Sequence, residues 1–505
     1  MSSQKTLDTA DCVVFGVLTA VGYIVGIYFS FSRRRQKLAS SDSNVAGVEL
    51  EAFLGGHSLP AVALAVSVLA SVANGMNVVG FVGHYYAHGF HALWILVGTP
   101  LATTFAVVVM IPLLYRLGVA SIFQYLRMRF DNKVGITASV VYFVLSQTLG
   151  AVGIYSAAIG LATMLSVPLL YSNIVIGLAG TIYTALGGLR GVVWADCVQA
   201  LVMFIAPLTI IAKVIYDSGR VDPPLRSMRD LNVTEYMFRA NLDLTLDENI
   251  WSCFIGGLPY IFVRVGFDQM VVQRFMAART EQDAKRIAIV SSVFVVFFFF
   301  LVGVAGGTII YWYRDCDPLL SGAIKSYDQV VPYYLKESLS EVTALRGLFL
   351  AGLLGATTST VSSVVNSHAA TFYIDVIAPY YRLSEEKALI AMRLLGCGLG
   401  ELGRLRAPDV ARGGQELVQC GEAARISWHA RQVPCARKHD RRSIDESVQS
   451  GRAKVETSKA FTGVKISGDK SEDDERTKLG TELSPVFKER TSSDVSVGNV
   501  AECST

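Results

Sequence analysis

The 505-residue chain is 52% hydrophobic and only 17% charged, with a mean hydropathy of +0.42. Soluble domains carry about 25% charged residues, so a chain this apolar cannot hide its surface in one water-facing core and membrane lipid is its expected solvent. A net charge of +3, dispersed along the chain, gives no basis for a nucleic-acid partner.

A helix needs about 20 apolar residues to cross the hydrocarbon. The first such stretch, 12–31, runs into Arg33, Arg34, Arg35 and Lys37, a basic flank that reads as the stop of a retained anchor rather than a cleaved leader. Further spans are expected at 60–82, 92–115, 136–165, 169–188, 192–216, 250–272, 287–313 and 345–378. Gly, Pro, Asn or Ser interrupt several of them, the pattern of a packed bundle with broken helices. Basic residues at 33–37, 116–133 and 274–286 belong on the cytoplasmic side. This places the N-terminus and two longer loops, 217–249 and 314–344, outside. The sequon Asn232-Val233-Thr234 falls in the first of these loops, where a glycan is expected. The eight cysteines are scattered, without a CxxC or Cys/His cluster, which argues against a structural zinc site.

From about residue 398 the composition changes. An Arg/Gly/Ala-rich stretch leads into a Lys/Glu/Ser-rich tail, and 398–505 is expected to be disordered. The last apolar run, Ala388 to Gly400, is short, carries Arg393 and is not expected to span.

Four stretches carry the chemistry. In the second span, Ala70-Ser71-Val72-Ala73-Asn74-Gly75-Met76-Asn77 joins small residues to poor helix formers. Carbonyls freed by an unwound turn at that depth can hold a cation; small residues can equally serve close helix contact. The Gly-rich turn before Asp196 opens the next helix with an acid. That acid either complements the helix dipole or lines a cation path. Arg264 lies in a span with Asp268 one turn on, and the ion pair between them is favoured over a role in attracting an anionic substrate. Asp268 and Arg274 are expected as anchors at the inner interface. Finally, the run from Thr357 to Ser367 packs hydroxyls into an apolar helix, with Ser359 and Ser363 on one face and Ala356 and Thr360 on another. A single hydroxyl there bonds back to its own helix; the whole run points to a site for a hard monovalent cation such as sodium.

These stretches resemble the sodium/solute symporter family, nearest to its branch of multivitamin, monocarboxylate and iodide transporters. The matching pieces are EAFLGGHSLPAVALAVSVLASVANGMNVVG, YTALGGLRGVVWADCVQ, DQMVVQRFMAARTEQDAKR and GLFLAGLLGATTSTVSSVVNSHAATFYIDVI, within residues 10–397. The resemblance implies an all-α, inverted-repeat LeuT-type bundle: one leading helix, then five-plus-five core helices. By position it implies sodium ligands at the carbonyls of Ala70, Ala73 and Ala356 and the hydroxyls of Ser359 and Thr360. It places Asp196 by the sodium exit path. Arg264 and Asn77 are the substrate candidates. The resemblance also implies a multi-pass protein of the plasma membrane, with sodium as coupling ion, a small-molecule substrate and no other cofactor.

Two features depart from the family pattern. The chain leaves it soon after Met392 to Gly396, so 1–397 is expected to form the symporter core with the second repeat incomplete. A truncated form, an altered reading frame or a gene-model error would each produce this. Arg264 stands where the sugar-transporting branch commonly carries an aromatic residue, which favours a small organic anion such as a monocarboxylate or vitamin carboxylate. The alternatives are sugar, inositol or choline symport, or a non-transporting membrane protein that regulates a full-length partner. No nucleophile–base constellation suggests an enzyme.

Overall fold

A computed structural model describes residues 9–38, 53–165, 167–220, 239–242, 249–314, 317–338 and 344–377. The Asn232 sequon, the apolar run from Ala388 and the 398–505 tail lie outside the described residues.

Among the described residues the chain is helical, without a β-strand. Seven helices are long and apolar enough to cross a membrane. They are α1 (Thr9–Leu38, apolar over Thr9–Phe29), α4 (Phe90–Leu117), α6 (Asn132–Leu165), α8 (Gly187–Ser218), α9 (Ile250–Met276), α10 (Glu281–Trp312) and α12 (Leu345–Ile377). An eighth span is the broken pair α2 (Ala61–Val72) and α3 (Gly75–His88), bent by 52°. The span expected at 169–188 is the shorter apolar helix α7 (Leu169–Ala185). It meets α8 at Gly188, whose φ of 57° and ψ of −168° suit only glycine, so the Gly-rich stretch turns where the sequence placed a turn. Short helices α5 (Ile122–Arg129) and α11 (Val330–Ser338) complete the set.

Helix α12 is the centre of the bundle: 89% of its spanning window is buried, against 11% for α1. It packs on α6, α7–α8 and α1. Its own composition permits this, because glycines, alanines and hydroxyl residues let neighbouring backbones approach without a large side chain between them. Gly75, at the start of α3, shows the closeness required: a Cβ there would stand 2.4 Å from Thr357 Oγ1 of α12. On α10 the picture reverses. Val293, Phe297 and Phe300 are more than half exposed, which suits a face turned to lipid.

Two apolar clusters meet near the α2–α3 break, and Leu69, late in α2, already belongs with α3. Leu64 and Val68 of α2 belong to one, with Ile111, Leu114, Val271 and Phe275. Val78, Val82 and Tyr85 of α3 belong to the other, with Met203, Phe298, Phe349 and Leu353. A second interruption faces the first. In α9 the turn Val263–Phe267 is π-helical and Asp268 is extended (φ −69°, ψ 119°) before Gln269–Met276 resumes. The polar groups gather between these two breaks.

Candidate cation site

Helix α2 stops because the next residues leave helical space: Ala73 at φ −87°, ψ 133° and Asn74 at φ −138°, ψ −179°. A helix that ends leaves its last carbonyls without intrahelical partners. The Ala73 N–H donates to Leu69 O at 2.9 Å, so the carbonyls of Ala70, Ser71, Val72 and Ala73 must be met from elsewhere. They are met from α12 and α9. Ser359 Oγ donates to Ala70 O at 2.8 Å, and Thr360 Oγ1 reaches Ala73 O at 2.9 Å and Ser71 O at 3.5 Å. Arg264 Nη2 approaches Val72 O at 3.5 Å.

Ser359 and Thr360 also reach back to Ala356 O, at 2.9 and 3.3 Å. The structure therefore brings together all five expected ligand residues, Ala70, Ala73, Ala356, Ser359 and Thr360, none more than 2% exposed. Three carbonyls and two hydroxyls make a neutral set of hard oxygen donors. A monovalent cation suits such a set, since a divalent one usually recruits carboxylates. The hydroxyls that donate to Ala70 O and Ala73 O have lone pairs to offer a cation once their hydrogens rotate aside.

The hydroxyl run divides by helical face. Thr358, Ser362 and Ser367 bond back to the carbonyls of Leu354, Ser359 and Val364, each at 2.9 Å. Thr357 donates to Gly153 O of α6 at 3.3 Å. Only Ser359, Thr360 and Ser363 turn toward α2, and Ser363 joins a second layer.

That layer is charged. Ser67 Oγ donates to Asp196 Oδ2 at 2.5 Å, and Ser71 Oγ pairs with Ser363 Oγ at 2.8 Å. Arg274 ties them: Nε to Ser67 Oγ at 2.6 Å, Nη1 to Met270 O at 2.6 Å, Nη2 to Ser363 Oγ at 2.6 Å and to Asp196 Oδ2 at 3.1 Å. Asp196 and Arg274 are both fully buried. The expectation of Arg274 as an interface anchor is thus corrected. The break at Asp268 sends the last two turns of α9 inward against α2, and the guanidinium finds acceptors there for its fork of donors. Asp196 Oδ1 has no hydrogen bond among the described residues.

Arg264 and Asp268 form the buried i,i+4 ion pair favoured from the sequence. Asp268 also caps the resumed helix through Met270 N–H at 3.0 Å and accepts from Tyr142 Oη at 3.1 Å. Both are therefore inside the bundle, and Asp268, like Arg274, is no interface anchor. Arg264 Nε is buried without a hydrogen bond among the described residues. Asn77 completes a capping box: its Oδ1 accepts from Asn74 N–H at 2.6 Å, and its N–H donates to Asn74 Oδ1 at 3.2 Å.

The model of the sodium:solute symporter family matches residues 52–396. The chain belongs to that family. Relatives of this chain include a putative sodium-dependent multivitamin transporter of Drosophila melanogaster, 28% identical over 390 residues, covering 76% of this chain and 62% of the relative. The human sodium/iodide cotransporter is 28% identical over 390 residues (77% and 58%). Sodium-coupled monocarboxylate transporter 1 of Xenopus laevis is 28% identical over 384 residues (75% and 59%). The chain thus spans about three fifths of the length of these curated relatives. In fold it is similar to a solved Na+-coupled sialic acid symporter in a substrate-bound outward-open state, with a TM-score of 0.70, 21% identity and coverage of 80% of this chain and 83% of that one.

The symporter family consists of transporters rather than enzymes, and its LeuT-like fold accounts for two interrupted helices that face each other. Sequence reading missed Ser67, Ser71 and Tyr142 as members of the polar layers. Ser67 and Ser71 carried a signal, being one turn apart on one face of α2. Tyr142 carried none, because its partners Asp268 and Ser367 lie more than a hundred residues away in sequence.

Proposed function

We propose that this chain moves sodium inward together with a small organic anion, a monocarboxylate or vitamin carboxylate, across the plasma membrane. The observation that carries the reading is the meeting of Ala70, Ala73, Ala356, Ser359 and Thr360 at the end of α2. Sodium at this point links the broken helix to α12 and favours the arrangement that receives substrate. Each sodium moving inward at about −70 mV contributes roughly 1.6 kcal/mol from the field alone. Asp196, one layer away, offers its unbonded Oδ1 as the next station on the sodium exit path.

The substrate side rests on Arg264 and Asn77, which flank the two breaks. The ion pair with Asp268 cancels most of the Arg264 charge, but its Nε hydrogen is uncommitted among the described residues and suits a carboxylate oxygen. The transporter names of the relatives, which include monocarboxylate and multivitamin, agree with an anionic substrate. Uptake of labelled lactate, biotin and glucose, with sodium replaced by choline, tests the reading. Sodium-dependent entry of lactate or biotin is expected. Sodium-dependent entry of glucose alone moves the substrate to sugars, equal entry without sodium overturns coupling, and no entry by protein at the cell surface favours the non-transporting reading.

A further inference from the structure

Behind the face of α12 that meets α2 lies a small cavity shared by three helices. Leu18, Thr19 and Tyr23 of α1 line it, with Gln199 of α8 and Gly355 and Thr358 of α12 among the other walls. Its room is that of about one water molecule. Thr19 Oγ1 and Gln199 Oε1 are buried without a hydrogen bond among the described residues, and Tyr23 Oη lies beside them against the Thr358 side chain. Gln199 is only 6% exposed. Its other amide atom, Nε2, donates to Thr358 Oγ1 at 3.1 Å, and that hydroxyl is committed to Leu354 O.

A buried polar atom without a partner costs about 1–3 kcal/mol, and two around one cavity, with the Tyr23 hydroxyl beside them, call for a ligand that serves them all. The space is too small for an organic solute. The lining carries no charge, and the few oxygens are too sparse to replace the hydration shell of a metal ion. Water fits, because it accepts from hydroxyls such as Thr19 and Tyr23 and donates to the Gln199 carbonyl oxygen. We propose that this cavity is a hydration site in which one ordered water ties the leading helix α1 to α8 and α12. Thr358 precedes Ser359, and Tyr183 Oη holds Thr358 O at 3.2 Å. The water therefore fixes the rotation of α12 that presents Ser359 and Thr360 to Ala70 and Ala73. This second step rests on the cation reading above; the hydration site itself does not.

Two measurements on the full chain in detergent separate these claims. Radiolytic hydroxyl labelling reports bound water beside a side chain. Tyr23 is expected to be modified several-fold faster than Tyr85, which is buried away from this cavity, and the cavity-filling variant Ala351→Val is expected to abolish the difference. Equal labelling of Tyr23 and Tyr85, or a difference that survives Ala351→Val, overturns the hydration site. The second measurement is the sodium midpoint for thermal stabilisation. Thr19→Val and Tyr23→Phe are each expected to raise it about three- to tenfold, and the double variant no further than the larger single effect, since both remove one water. Additive effects or unchanged midpoints overturn the coupling to α12. A wild-type chain that sodium does not stabilise counts against the cation site, and the labelling then decides the hydration site alone.

Discussion

Two polar layers lie about one helical turn apart in the middle of this bundle, and both are built from α2 and α12. The layer at Ala70, Ala73, Ser359 and Thr360 holds only neutral oxygens. The layer at Ser67, Ser71 and Ser363 is closed by the buried Asp196–Arg274 pair. Their difference bears on what a site for the proposed moving ion would require. Neutral hydroxyls exchange a hydrogen bond for a cation at small cost, because no charge is stranded when the ion leaves. A buried ion pair cannot be opened so easily: removing one partner costs about 3–5 kcal/mol. The first layer is suited to exchange and the second to holding α2, α8, α9 and α12 in register.

The largest effect is expected when charge is removed from the second layer. Arg274→Met leaves Asp196 buried and unpaired, and the folded yield on size exclusion is expected to fall to a small fraction of wild type. Adding Asp196→Asn is expected to recover much of it. A well-folded single variant would show that the charged layer does not lock the helices.

A smaller effect on folding, but a large one on ion binding, is expected in the first layer. Ser359→Ala with Thr360→Ala is expected to raise the sodium midpoint for thermal stabilisation by at least about tenfold, with surface abundance changed much less. An equal loss of both would assign these hydroxyls to folding.

The smallest effect sharpens the origin of the neutral layer. The Asn74 capping box starts α3 so soon after α2 ends. Asn74→Ala is expected to lower stability by about 1 kcal/mol, read as a modest fall in melting temperature, while the sodium midpoint shifts less than in the Ser359/Thr360 variant. A shift as large as that variant's would mean that the break itself, rather than the hydroxyls, sets the affinity.

What could be read from the chain alone follows from local physics. Hydropathy marked each helix that the structure describes as a span, although Leu169–Ala185 is shorter than expected. The Ala73-Asn74-Gly75 stretch marked the break because Asn and Gly are poor helix formers; that Asn74 caps α3 and that Gly75 lies against α12 came from the structure. The i,i+4 pairing of Arg264 and Asp268 was legible because both partners lie on one helix face. Tertiary structure alone decided which hydroxyls of Thr357 to Ser367 turn toward α2, since a run of polar residues occupies every face of a helix. It also decided that Arg274 lies at the centre of the bundle and not at its edge. Its partners, Asp196, Ser67 and Ser363, are 78, 207 and 89 residues away. No periodicity within one helix encodes a contact that exists only once four helices have packed.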